Sequence, residues 1–136
     1  MVIEQEDRLA VVAIQRAVSE LVAIYRFGSS TSGERRPGSD IDLAILATTP
    51  IDPVLRFDLQ ERLASALHRS VDLVDLRAAS PVMAMQVIGK GRVLLDLDAA
   101  ARGCFEDLTY GVYARLNEER RGILQRVAAE GTVYGR

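Results

Sequence analysis

The sequence has no tryptophan, one cysteine, one histidine and only 5% aromatic residues. The single thiol, Cys104, has no partner for an internal disulfide and no ligands clustered beside it. That excludes a disulfide scaffold and a thiolate metal site, and it points to a reducing compartment. Lysine is nearly missing as well: Lys90 stands alone among 17 basic side chains, the rest being arginine. An excess of one charge is also lacking. With 19 acidic residues against 17 basic ones the net charge is -2, which gives no general attraction to nucleic acid or to an anionic membrane. Basic and aromatic residues do not interleave, so direct nucleic-acid binding is not expected. No apolar run approaches the roughly 20 residues that cross a bilayer. The acidic start MVIEQEDRLA lacks the basic-then-apolar order of a secretory signal. The expectation is a cytoplasmic protein.

What is present suits one globular unit over 1–136. Of 136 residues 49% are hydrophobic and 26% charged, enough for a sizeable core and too apolar for wholesale disorder. From Glu6 to Val22 a spacing of four (Leu9, Ala13, Ala17, Leu21) predicts a helix. Ile24 to Phe27 reads as a strand that runs into a turn at Gly28-Ser29. Ser30 to Ser39 is polar, with Gly33, Pro37 and Gly38, and offers little core. Asp40 to Leu46 alternates with period two, a strand signature: Asp40, Asp42 and Ala44 face one way, Ile41, Leu43 and Ile45 the other. Asp52 caps a helix with Pro53 at its first position and a stripe at Leu55, Leu59, Leu63 and Leu67, ending near His68. Val71 to Leu76 is a further strand, Pro81 to Ile88 a helix closed by Gly89 and Gly91, and Arg92 to Leu95 a short strand. From about 102 to 130 the pattern is helical again. Gly111 and Gly122 weaken one unbroken helix and leave room for a helical hairpin, and the tail Gly131 to Arg136 reads as a turn. This order predicts an α/β (α+β) fold, a small mixed sheet packed with helices.

The chemistry-bearing signal is Gly28-Ser29 followed, after a ten-residue gap, by Asp40-Ile41-Asp42. On a strand Asp40 and Asp42 share a side, with Cα atoms about 6.5–7 Å apart. Magnesium takes hard oxygen ligands and tolerates water and phosphate oxygens beside carboxylates, so two such acids and a triphosphate make a sensible site. The amides and hydroxyl of the Gly-Ser turn suit phosphate. Alternation alone also fits two solvated acids on an outer sheet face, and Ser29 as an ordinary turn serine. Arg35 and Arg36 lie in the intervening loop, where a guanidinium fork reaches phosphate or simply stays in water.

The stretch Phe27-Gly28-Ser29 through Ser39-Asp40-Ile41-Asp42-Leu43 resembles the signature of the polymerase-beta-like nucleotidyltransferase superfamily. Within it the chain resembles the minimal nucleotidyltransferases, especially the MntA-type protein adenylyltransferase antitoxins. Val71-Asp72-Leu73-Val74-Asp75-Leu76, Gly91-Arg92-Val93-Leu94 and the C-terminal helix with its tyrosines extend the likeness over nearly the whole chain. The resemblance implies a third carboxylate on a neighbouring strand. Asp72 and Asp75 are both candidates, on opposite faces by alternation. Position in the matching segment favours Asp72, and a bulge that reversed the alternation would transfer the role to Asp75.

The resemblance further implies transfer of AMP from ATP. Gly28 and Ser29 would anchor the β and γ phosphates, while Asp40, Asp42 and Asp72 hold magnesium and bring the acceptor oxygen close. Relatives often carry an arginine straight after Gly-Ser, where this chain has Ser30. The implied acceptor is a tyrosine of a cognate HEPN-domain ribonuclease toxin, which the antitoxin also binds, so a hetero-oligomer is expected. Two rival readings stay open: transfer to a small hydroxylated molecule, and a binding antitoxin that blocks its toxin without catalysis. Elsewhere the bland readings lead. His68 ends a helix, Cys104 is a core or semi-buried thiol, and Tyr110, Tyr113 and Tyr134 pack within the helix and tail.

Overall fold

A computed structural model describes residues 5–28 and 40–131. Its elements are α1 (Gln5–Ala17), β1 (Leu21–Phe27), β2 (Ile41–Ala47), α2 (Pro53–Leu67), β3 (Val71–Asp75), α3 (Pro81–Lys90), β4 (Arg92–Asp96) and α4 (Ala99–Gly131). The four strands form one sheet in the order β3-β2-β1-β4. β1 runs antiparallel to both β2 and β4, whereas β2 and β3 are parallel. A parallel pair needs a long crossover, and α2 supplies it. The mixed sheet packed with helices agrees with the fold class expected.

Both faces of the sheet are covered. Ile24, Ile41, Leu43, Ile45 and Leu73 meet Ala10 and Ile14 of α1 and Leu59 and Leu63 of α2. Tyr25, Phe27, Ala44 and Leu46 meet Ala84 and Val87 of α3 and Phe105 of α4 on the other side. Each fully buried Leu, Ile or Phe side chain contributes about 1.5–3 kcal/mol relative to exposure. This core fixes the register of β2, because a slip of one residue would turn its large apolar set onto the wrong face.

The boundaries differ from expectation most at two places. The first helix stops at Ala17 instead of running to Val22, and β1 starts at Leu21. Glu20 takes a left-handed conformation (φ 56°) at the junction. Leu21 continued the helical spacing only by coincidence. Residues 22–27 are buried on both faces, and a strand so covered shows no alternation. At the other end α4 is one helix of 33 residues, not a hairpin. It begins ahead of position 102 because Asp98 caps it, its side chain accepting from the Ala101 amide at 3.0 Å. A Cβ at Gly103, Gly111 or Gly122 would meet open space, so these glycines weaken the helix without breaking it.

α3 passes Gly89 and ends at Lys90, two residues beyond Ile88, with Gly91 as its cap, whereas α2 follows its sequence signals at both ends. Asp52 accepts from the Val54 amide at 2.8 Å with Pro53 in the first turn, and His68 closes α2 in the left-handed region. Cys104 is exposed, against the core or semi-buried position expected of it. Tyr110 is exposed and Tyr113 half-buried, while Tyr134 and the tail beyond Gly131 lie outside the described residues. No helix among the described residues is long and apolar enough to cross a membrane.

Candidate active site

The site gathers where β1 ends and β2 and β3 begin. Asp42, in β2, stands between Phe27 of β1 and Asp72 of β3, its register partners on the two sides. Strands in a sheet lie about 4.8 Å apart, so the two carboxylates occupy neighbouring positions. Asp40 lies two residues before Asp42, exposed, just ahead of the first residue of β2. Asp72 is exposed as well, and Asp42 is half-buried.

Asp42 feels this crowding. Its pKa is raised above the ordinary 3.8, first by burial, then by the negative charges of Asp72 and Asp40. Arg26, in the neighbouring strand, works in the opposite direction. Among the described residues, no three His, Cys, Asp or Glu side chains are already drawn together as a cage for a metal ion. The donor set nevertheless fits a hard divalent cation. It offers carboxylate oxygens on adjacent strands whose repulsion a cation would relieve, with room for water and phosphate as further ligands.

Gly28 closes the site on the β1 side. Its φ is +86°, and a Cβ built there would overlap the Asp42 carboxylate. Only glycine combines that conformation with that close approach. Ser29, Ser30, Arg35 and Arg36 lie outside the described residues.

Asp75 is placed differently. It is buried, and each oxygen has a backbone partner: Oδ2 accepts from the Ile51 amide at 2.9 Å and Oδ1 from the Arg77 amide at 3.0 Å. It pins the segment leading into α2 and the turn after β3, while Asp72 stays open to solvent.

A residue that the sequence reading passed over underlies the site. Arg26 is fully buried, paired with Asp7 and, at 3.2 Å, with Glu6 of α1. Asp7 also binds Arg92 at 2.8 Å, and Glu6 binds Arg69 at 2.7 Å. The cluster ties α1 to β1, to β4 and to the start of β3 beneath the carboxylates. The available signal was an arginine in an otherwise apolar strand, LVAIYRF, directly before the glycine turn. On the opposite sheet face the Tyr25 hydroxyl donates to Glu106 at 2.7 Å, and Arg102 bridges Glu106 and Asp96, which holds α4 to the sheet. Burial and Glu106 push the Tyr25 phenol well above its usual range, so it remains a neutral donor.

This arrangement matches a known family. Residues 11–100, which contain all four strands and the described carboxylates, match the model described as polymerase beta, nucleotidyltransferase. The chain belongs to the polymerase beta nucleotidyltransferase family. Among characterised members of this family it is 40% identical over 112 residues to the protein adenylyltransferase MntA of Shewanella oneidensis, covering 82% of this chain and 80% of that one. It is also similar to a chain in a crystal structure of a toxin–antitoxin with AMP-PNP, with TM-score 0.81 and 36% identity over 92% of this chain and 99% of that one. A third similarity is to a chain in the structure of a tri-AMPylated Shewanella oneidensis HEPN toxin in complex with MNT antitoxin. There the TM-score is 0.76 and the identity 34%, covering 90% and 96% of the two chains. Within the nucleotidyltransferase family, then, the chain strongly resembles the MntA-type antitoxins.

Proposed function

We propose that this protein is a magnesium-dependent protein adenylyltransferase that acts as an antitoxin, moving AMP from ATP onto a tyrosine of a HEPN-domain ribonuclease toxin in the cytoplasm. The observation that carries this reading is the pairing of Asp42 with Asp72 across adjacent strands, with Gly28 packed against Asp42. The similarity to MntA supplies the acceptor class.

Asp40, Asp42 and Asp72 would hold magnesium, which when bound neutralises phosphate charge and lowers the pKa of the acceptor hydroxyl. Gly28 lets the chain approach the triphosphate closely, and Ser29, Arg35 and Arg36 are assigned to its β and γ phosphates. The acceptor oxygen forms a bond to the α-phosphorus. The bond from that phosphorus to the oxygen bridging towards the β-phosphate breaks, and pyrophosphate leaves with the electron pair. Asp72 takes the hydroxyl proton, directly or through water.

A binding role accompanies the chemistry. α4 is about 50 Å long, and beyond Thr109 none of its described residues is buried. Ile123, Leu124 and Val127 are 51–58% exposed, an apolar surface that suits a helical protein partner and goes beyond what a small-molecule acceptor requires. The test is incubation of the chain with magnesium, labelled ATP and the toxin partner. Label should appear on a partner tyrosine and vanish in the Asp40→Ala, Asp42→Ala double variant. Neutralisation of the toxin by that variant at wild-type strength would replace catalysis with simple binding.

A further inference from the structure

Gly28 directly follows the last residue of β1, while Asp42 lies on β2 and Asp72 on β3, and these three strands are neighbours in that order. In-line displacement puts the incoming and leaving oxygens on opposite sides of the phosphorus. With the triphosphate tail on the Gly28 side, the acceptor must arrive from the β3 side, which is an edge of the sheet.

That edge carries a groove of about 380 Å³. It opens at Asp72 and passes Val74 to reach Ala78, Ala79, Ser80 and Met83. From Asp72 to Asp75 the strand rises about 10 Å, the reach of three extended residues. Edge strands usually invite another strand to pair. Here the invitation is withdrawn, because α2 fills the outward backbone position at Leu73. The Leu73 amide donates to Gln60 at 2.9 Å, and its carbonyl accepts from Arg56 at 2.9 Å. An occupant of this groove therefore does not pair as a further strand at Leu73 but lies against half-buried Val74 and Met83 and the small Ala78 and Ala79.

We propose that this groove is the acceptor subsite and receives the polypeptide segment that flanks the modified hydroxyl. The hydroxyl-bearing side chain lies at Asp72, and an apolar or aromatic neighbour covers Val74 and Met83. Ser80, whose oxygen already accepts from the Met83 amide at 3.1 Å, keeps its own proton for a peptide carbonyl. A small hydroxylated molecule held at Asp72 would leave the far half of the groove empty, whereas three extended residues fill it. The assignment rests on the adenylyl-transfer reading and adds to it the side of entry and the class of contact.

Ala78→Trp fills the groove from an exposed loop position, and Ala79→Arg tests the same point by charge. Each is assayed on the full chain for magnesium-ATP affinity and for steady-state AMP transfer to the toxin partner, with thermal melting to show that the fold is kept. The expected result is an acceptor KM raised about tenfold or more, with nucleotide affinity and kcat at saturating acceptor within about threefold of wild type. Transfer with an unchanged acceptor KM in a folded variant, or loss of nucleotide affinity in step with transfer, overturns the subsite. If Ala78→Trp does not fold, Ala79→Arg decides by the same two outcomes. A wild-type chain that transfers nothing to the partner overturns the adenylyl-transfer reading, and the groove's role with it.

Discussion

Asp42 and Asp72 face each other in register across the parallel pair β2–β3, so two acids far apart in the chain become neighbours at one end of the sheet. Burial and the two nearby acids raise the pKa of Asp42, which means that the metal-free fold carries an unfavourable charge. Removing that charge should stabilise the empty protein. Asp42→Asn is expected to raise the melting temperature without magnesium while abolishing transfer. The sign is fixed by linkage: a carboxyl whose folded pKa is raised loses stability as pH climbs from 3.8 through the folded value. The gain should thus be larger at neutral pH than at pH 4, and melting curves at the two pH values check it.

Asp72 and Asp75 should part company on substitution. Asp72→Asn leaves an exposed position folded and is expected to cost about 10²- to 10⁴-fold in transfer rate. Asp75→Ala strands the Ile51 and Arg77 amides, a loss of about 1–3 kcal/mol for each unsatisfied buried group. Its activity per folded molecule should survive. Equal activity losses in the two variants would contradict the assignment.

Gly28→Ala should fail for two reasons at once. The left-handed conformation costs roughly 1–2 kcal/mol once a Cβ is present, and that Cβ displaces the Asp42 carboxylate. Misplacement of a reacting group by an ångström costs on the order of 100-fold in rate. Transfer kinetics should show that loss alongside a modest drop in melting temperature.

Arg26→Met removes one of the two arginines paired with buried Asp7 and leaves Arg92 beside it. Breaking a buried ion pair from one side destabilises by about 3–5 kcal/mol. Chemical denaturation should show a loss of that order, and Asp7→Leu added to Arg26→Met should recover part of it.

On α4, Leu116→Glu combined with Ile123→Glu should leave melting and nucleotide affinity nearly unchanged, since both side chains are exposed. Co-purification with the toxin partner should fall sharply. Retained co-purification would place the partner contact elsewhere.

The readable parts of this fold were those where one face meets water. β2 showed its alternation at the acidic end, and α2 announced itself through Asp52, Pro53 and a leucine stripe. β1 did not, because it is covered on both sides, and the spacing of Leu21 extended α1 past its true end. Two glycines suggested a break in α4, yet neither sits where a side chain would collide. Alternation put Asp72 and Asp75 on opposite faces but left open which one belonged to the site. The partners of Asp75 come from the segment before α2 and the turn after β3, which no local pattern connects. Arg26 and its acids were invisible for the same reason: Glu6 and Asp7 are distant in sequence, and only the docking of α1 against the sheet brings them together.

The most direct measurement is the intact mass of the toxin partner after incubation with this protein, ATP and magnesium. Mass increments of whole AMP groups, located on tyrosine, are expected, and none when Asp72→Asn replaces the wild-type chain. A partner that keeps its original mass while being neutralised, or one modified equally by Asp72→Asn, would contradict the proposed reaction.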